Sequence, residues 1–468
     1  MSAPRVRPCR SPVCRVWRTK VRRLGKLPLR KGLIAGAALS VLTAAAVVPG
    51  SARAAEPAPA GRWLVQLKDT VTDPGKVAEE QAKGQASDGG SRLRHVFDAT
   101  VDGTALKGYA LEATAEQIAA IRTDPQVASV EPDGQVSLPE PVAGSSPRVP
   151  RQRAVAPGTG GVAHQGDPLL AGQWGLFRIG AVAGSEHGFR VPAAARVGVA
   201  VLDTGVDAGH PDLRVAGNVN FSASRSADDF AGHGTHVAGI VQALDNGIGA
   251  VGTAPGTRLW NVKVLGDNGS GLFSDLIAGL NWVARNARAK NIRVANLSLG
   301  TATDSPLVHQ AVRLAAQAGV AVVASAGNTG TTAPNYPAAY PEAISVAATT
   351  VFDQRARFSN HGASWVDIAA PGSDILSTLP TRATSRGEDH GFLSGTSMAA
   401  PFVTGSAALC LTSGHCRGTA RDILRTLGRD ALPVAGTGSD YRYGLVQVGC
   451  YWQNAPRCAP RSVAHDAA

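Results

Sequence analysis

"RVGVAVLDTG", residues 196–205, is a nearly unbroken apolar run that ends on Asp203 and a Thr-Gly turn. A strand with one wet face alternates polar and apolar residues. A continuous run marks a strand buried on both faces, as in a parallel sheet covered by helices. Such runs recur in "TRLWNVKVL" (257–265), "IRVANLSLG" (292–300), "VAVVASAGN" (320–328) and "AISVAATT" (343–350). Helix-like stretches fall between them: "HVAGIVQALD", "SDLIAGLNWVARNAR" and "SPLVHQAVRLAAQAG". The alternation predicts an α/β fold, a parallel β-sheet flanked by helices on both faces. Ligands of such sheets bind outside the C-terminal ends of the strands. Asp203 and Asn328 stand at two of those ends.

At 468 residues the chain has room for two or three folded units. Its net charge of +11 suggests nucleic acid until the charges are located. Residues 1–54 hold 12 of the 46 Lys and Arg and none of the 35 Asp and Glu, so the remainder is close to neutral. No nucleic-acid partner is expected. The basic start, the apolar "GLIAGAALSVLTAAAVV" and the small-residue "PGSARAA" read as a secretory signal peptide over 1–54, cut after Ala54. A secreted, extracellular protein without a stable membrane anchor is expected.

Residues 61–138 read as a small α+β unit: strand in "RWLVQLKD", helix in "GKVAEEQAKGQ", strand in "ALKGYALEA", helix in "AEQIAAIRTD", and a closing strand in "VASVEPDGQVSL". A Pro-, Gly- and Arg-rich stretch follows and reads as an exposed, cleavable linker. Cys9 and Cys14 leave with the signal peptide. Cys410, Cys416, Cys450 and Cys458 remain, an even number in an exported chain, and predict two disulfides. The short loops favour the local pairs 410–416 and 450–458, but three pairings stay open.

Three side chains carry a chemistry. Asp203 ends a strand, His233 opens "HGTHVAG" after a glycine, and Ser397 stands in "LSGTSMAAP" (393–401) at the start of a small-residue helix whose first turn would hold Pro401. A serine hydroxyl is a weak nucleophile until a neutral imidazole takes its proton, and that imidazole needs a carboxylate to fix its tautomer. Asn328 in "SAGN" offers a side-chain amide to the oxyanion of a tetrahedral intermediate. His236, three residues along the same helix, reads as structural. "HGTH" lacks the glutamate and spacing of a zinc protease. A single D-T-G excludes an aspartic-protease pair.

"VLDTGVDAGHPDL", "GHGTHVAG", "NLSLG", "SAGN" and "GTSMAAP", in this order, resemble the subtilisin-like serine proteases over about residues 165–450. The resemblance implies a serine endopeptidase with Asp203, His233 and Ser397 as triad and Asn328, with the Ser397 N–H, as oxyanion donors. It implies that Gly269, Ser270, Gly271, Ser298, Leu299 and Gly300 pair with protein or peptide substrates as neighbouring strands. Thr301 stands where the family often has glycine, so the primary pocket departs from the family's pattern; broad cleavage after apolar residues is the expectation. A structural Ca2+ is implied, held by Asp167, Asp212, Asn246 and the carbonyls of Leu244, Ile248 and Ala250. The 61–138 unit resembles the family's propeptide, a ferredoxin-like inhibitor and folding template, with the following linker lying in the cleft. The domain reading is signal peptide 1–54, propeptide 55–140, linker 141–165 and catalytic domain 166–468, working as a monomer. A catalytically inactive homologue serving as a binding module is the alternative.

Overall fold

In the computed structural model, residues 61–84, 91–139, 167–181, 197–449 and 451 are described. The signal peptide, the 141–165 linker, and Cys9, Cys14, Cys450 and Cys458 lie outside them.

The N-terminal unit runs β1 (Gly61–Leu67), α1 (Pro74–Gly84), β2 (Arg92–Phe97), β3 (Thr100–Val101), β4 (Thr104–Ala105), β5 (Gly108–Ala113), α2 (Ala115–Arg122), β6 (Val127–Pro132) and β7 (Gln135–Ser137). Four strands make an antiparallel sheet in the order β2-β5-β1-β6. Helix α2 starts where a capping box dictates, Thr114 and Gln117 each satisfying the other's backbone N–H. The expected closing strand is two strands. Its chain turns at "PDG", and β7 leaves the sheet for another partner. Strand β2, "RLRHVF", was hidden by its basic residues, which find acids across its neighbours: Arg94 on Glu112 at 3.1 Å and His95 on Asp275 at 2.9 Å.

The larger unit runs α3 (Trp174–Arg178), β8 (Gly198–Asp203), β9 (Val215–Asn220), α4 (His233–Gln242), β10 (Arg258–Lys263), β11 (Ser270–Leu272), α5 (Phe273–Asn286), β12 (Ile292–Leu297), α6 (Pro306–Gln317), β13 (Ala321–Ser325), β14 (Ala343–Thr349), β15 (Ile368–Pro371), β16 (Ile375–Thr378), β17 (His390–Leu393), α7 (Thr396–Thr412) and α8 (Ala420–Asp430). Seven strands form one sheet, β15-β14-β13-β12-β8-β10-β9, parallel throughout. All five quoted apolar runs are strands of it.

Successive residues of β8 serve opposite faces. Val199 and Val201 join the core built with α4, α7 and α8. Ala200 and Leu202 join the core built with α5 and α6. The N-terminal unit extends that second core through Leu64, Phe97, Leu106 and Val136. Its acids also meet the helix starts, where unpaired N–H groups favour negative charge. Asp133 accepts from the Ser274 N–H at 2.9 Å and from its Oγ at 2.7 Å, and Glu131 accepts from Ser305 Oγ at 2.7 Å.

One expectation about α7 fails. The helix begins at Thr396, capped by Gly395, so Pro401 sits beyond the first turn rather than in it. An interior proline removes the hydrogen bond to the carbonyl four residues back. That carbonyl belongs to Ser397, and Ser298 Oγ donates to it at 2.8 Å instead. The helix keeps its proline because Ser298, the residue after β12, supplies the missing donor.

Candidate active site

Parallel strands deliver their polar exits to one edge of the sheet. Leu297 of β12 lies opposite Leu202 of β8, which puts Ser298 level with Asp203. Ala324 of β13 lies opposite Leu297, so Asn328 follows at the next exit.

Asp203 is buried, and its Oδ1 accepts from the Thr204 N–H at 2.7 Å and from His233 Nδ1–H at 2.8 Å. A carboxylate only accepts, so His233 carries its proton on Nδ1 and offers Nε2 as a base. His233 is held there by its helix start. Gly232 caps α4 in the left-handed region at φ 86°. Gly234 lets α4 close on β8, since a Cβ there would lie 2.0 Å from the Gly205 carbonyl oxygen.

A residue missed by sequence reasoning organises this corner. Asp229, fully buried, accepts through Oδ1 from the N–H groups of Ala231 and Gly232 at 3.0 and 2.8 Å and from Thr204 Oγ1 at 2.9 Å. Its Oδ2 accepts from the Thr235 N–H at 2.9 Å and Oγ1 at 2.7 Å. Burial pushes the Asp229 carboxyl up, against those hydrogen bonds. Thr204 Oγ1 in turn accepts from the Gly234 N–H at 3.0 Å. Asp229 thus ties the start of α4 to the exit of β8. Lys263, also buried and register-paired with Asp203, donates to the Thr204 carbonyl and to Asp267 at 2.9 Å. His236 is structural as expected: Nε2 meets the carbonyls of Ile375 and Gly391 at 3.1 and 3.0 Å, and burial pushes its pKa down to about 3.

Ser397, second residue of α7, donates from Oγ to the Ser298 carbonyl at 3.3 Å. Asn328 Oδ1 accepts from the Thr396 N–H at 2.9 Å and Oγ1 at 2.8 Å, which anchors that amide beside the serine. Its Nδ2 faces Gly395, where a Cβ would come within 3.0 Å. Asp203 and His233 thus meet at the exit of β8 and the start of α4, and Ser298, Asn328 and Ser397 meet at the exits of β12 and β13 and the start of α7.

Ser270 and Gly271 lie in β11, and Gly269 precedes it. Facing them across a gap one strand wide is Gly300. β7 fills that gap, pairing with β11 on one side and bridging to Gly300 on the other; the linker expected in the cleft lies outside the described residues. Leu299 turns its side chain into the core, leaving only its backbone to the cleft.

The expected calcium residues also converge. Asp167 Oδ1 accepts from the Asn246 N–H at 3.4 Å, and Asp212 Oδ2 accepts from the Ala250 N–H at 2.8 Å. The Asp212 carbonyl accepts from the Leu244 N–H at 2.9 Å, and Asn246 Oδ1 from the Ile248 N–H at 3.0 Å. Two buried carboxylate oxygens, Asp167 Oδ2 and Asp212 Oδ1, have no hydrogen-bond donor among the described residues. Burial, with Asp245 and Asp212 nearby, pushes Asp167 up to about 8. Among the described residues no three His, Cys, Asp or Glu gather in the manner of a metal cluster. The expected set has two carboxylates and takes its other oxygens from an amide and the backbone, which suits a hard cation. Elsewhere, Cys410 and Cys416 are bonded to each other at the C-terminal end of α7, one of the two local pairs expected.

A sequence profile of the subtilase family matches residues 195–446, the whole parallel sheet and both helix layers. The chain belongs to the subtilase family. A peptidase inhibitor I9 profile matches residues 58–139, the N-terminal unit. Subtilisin BL of Lederbergia lenta is 45% identical over 237 residues, 50% of this chain and 82% of its own. The subtilisin of Bacillus pumilus is 42% identical over 279 residues, 58% of this chain and 94% of its own. Subtilisin E of Bacillus subtilis (strain 168) is 41% identical over 279 residues, 58% of this chain and 68% of its own. This subtilase is a serine endopeptidase made with an inhibitor-type propeptide.

Proposed function

We propose that this subtilase is a secreted, self-maturing endopeptidase of broad specificity in which Asp203, His233 and Ser397 form the triad. The Asp203–His233 hydrogen bond beside the Ser397-bearing helix carries the reading. His233 Nε2 takes the Ser397 proton as Oγ attacks the substrate carbonyl. The oxyanion is met by the Asn328 amide and by the Ser397 N–H at the positive end of α7. The imidazolium then protonates the leaving amine, and water, activated by the same Nε2, releases the acyl group from Ser397. Gly269, Ser270, Gly271, Ser298, Leu299 and Gly300 hold the substrate backbone as a strand.

Residues 1–54 act as signal peptide, 55–140 as propeptide, 141–165 as cleavable linker and 166–468 as catalytic domain, secreted as a monomer. Among the described residues no helix is long and apolar enough to cross a membrane. Intact mass of the exported product, wild type against Ser397→Ala, tests self-maturation. Loss of the propeptide only in wild type is expected; identical trimming of both contradicts it.

Ca2+ is proposed at Asp167, Asp212 and Asn246 with the carbonyls of Leu244, Ile248 and Ala250. When bound it supplies structural charge compensation, in keeping with the two donorless carboxylate oxygens. Without a cation, Asp167 stays protonated in the fold up to about 8 against an ordinary 3.8, so the folded state holds the extra proton. Its contribution to stability therefore falls as pH rises from about 4 to about 8. Chelated protein should lose Tm across that window, and millimolar Ca2+ should restore it, most at the alkaline end. The same titration on Asp212→Asn should show a weaker calcium response. A calcium-independent Tm in the wild type would remove the site.

A further inference from the structure

The strand lying in the cleft can be read in register. Ser137 exchanges both backbone hydrogen bonds with Gly300, donating at 3.2 Å and accepting at 2.9 Å. On its other side Ser137 lies opposite Ser270 and Val136 opposite Gly271, while the Leu138 N–H donates to the Gly269 carbonyl at 2.9 Å. Val136 is buried in the core with Leu299 and Phe273. Doubly bonded pairs recur every second residue along an antiparallel ladder. Continued one step, the same register would set 139 opposite 298.

Residue 139 is proline. It has no N–H, so it cannot donate to the Ser298 carbonyl as any other residue in that register would. That carbonyl is the one to which Ser397 Oγ donates, at 3.3 Å. Continued to residue 139, the register would set Pro139 beside that carbonyl and hydroxyl, and both peptide bonds next to it would suffer. The Leu138–Pro139 bond is a tertiary amide, its ring carbon standing where an N–H would be. The Pro139–Glu140 bond would be held without the ladder bond to Ser298 that aligns its carbonyl for attack.

Resting on the reading of Ser397 as nucleophile, we infer that Pro139 keeps the N-terminal unit uncut in its own cleft and diverts the maturation cut to a bond that does not involve residue 139. The propeptide's last strand is a substrate in posture and a poor one in chemistry. Exchange for any residue with an N–H restores the missing ladder bond and makes residue 139 a cutting position.

Two measurements test this. Full-length precursor, wild type and Pro139→Ala, is incubated and its fragment termini are read by mass spectrometry. In wild type no fragment is expected to end at 138 or 139. In Pro139→Ala one ending at 139 should accumulate several-fold to about tenfold faster, the worth of one backbone hydrogen bond used in the transition state. Independently of how that variant folds, mature wild-type enzyme should cleave the peptide QVSLAEPV with kcat/KM several-fold to about tenfold above QVSLPEPV. A wild-type precursor whose first cut falls at 138 or 139, or equal rates on the two peptides, overturns the inference. Ser397→Ala separates the two claims. If the nucleophile reading fails, cutting persists in that variant; if only the Pro139 assignment fails, cutting stays Ser397-dependent but falls at residue 138 or 139.

Discussion

Ser397→Ala, matured in trans by an unrelated protease, is expected to lose about 10⁶-fold in kcat on a peptide amide, with KM within a few-fold and Tm unchanged. That figure is taken over from a subtilisin, whose nucleophile and base each cost about as much as the whole triad. The physical reason is that the hydroxyl and the imidazole act as one unit. Without Oγ there is no acyl-enzyme, and His233 has nothing to deprotonate but water. The segments proposed to hold the substrate strand, β11 and Gly300, are not touched by the substitution, so binding should survive. What activity remains reflects the oxyanion donors and substrate positioning alone. A loss below about a hundredfold would place the nucleophile elsewhere, since one oxyanion donor alone is worth that much.

Asp203→Asn is expected to cost about 10⁴-fold in kcat, again with little change in KM. Asn and Asp have nearly the same shape, so packing under α4 is retained. The difference is electrical and tautomeric. Asp203 Oδ1 accepts the His233 Nδ1–H at 2.8 Å and already takes the Thr204 N–H at 2.7 Å. An amide that turns its nitrogen toward His233 forces the proton onto Nε2, where the base is needed. It also removes the negative charge that stabilises the imidazolium. Steady-state kinetics on the matured variant, with a melting curve to exclude misfolding, reads this directly. An effect under about tenfold would mean that the buried Asp229 or another group orients His233.

The parallel sheet was legible because its strands are covered on both faces and their apolar runs are uninterrupted. Asp203, His233, Asn328 and Ser397 could be proposed from sequence because each follows a strand exit or opens a helix in a short motif. Edge strands were not. β9, "VAGNVN", and β15, "IAAP", are short or half polar and look like loop. Asp229 could not be found from its neighbours in sequence, since its role lies in five hydrogen bonds that exist only once α4 has docked on β8. Its one sequence signal was a doubled aspartate, Asp228-Asp229, just ahead of "GHGTH". Pro401 was misplaced because Ser298, about a hundred residues away, supplies the hydrogen bond that the helix lacks. The cleft strand 135–138 escaped for the same reason, its partners being Gly269, Ser270, Gly271 and Gly300. Local pattern finds buried elements and motifs; non-local pairing decides which segment fills the cleft.

The most direct test of the account is where a fluorophosphonate attaches to the mature enzyme in calcium-containing buffer. Peptide mapping should find one adduct, on Ser397, formed rapidly in wild type and lost in His233→Ala. An adduct on another serine, or none on folded protein that still hydrolyses peptides, would contradict the assignment of Ser397 as the nucleophile.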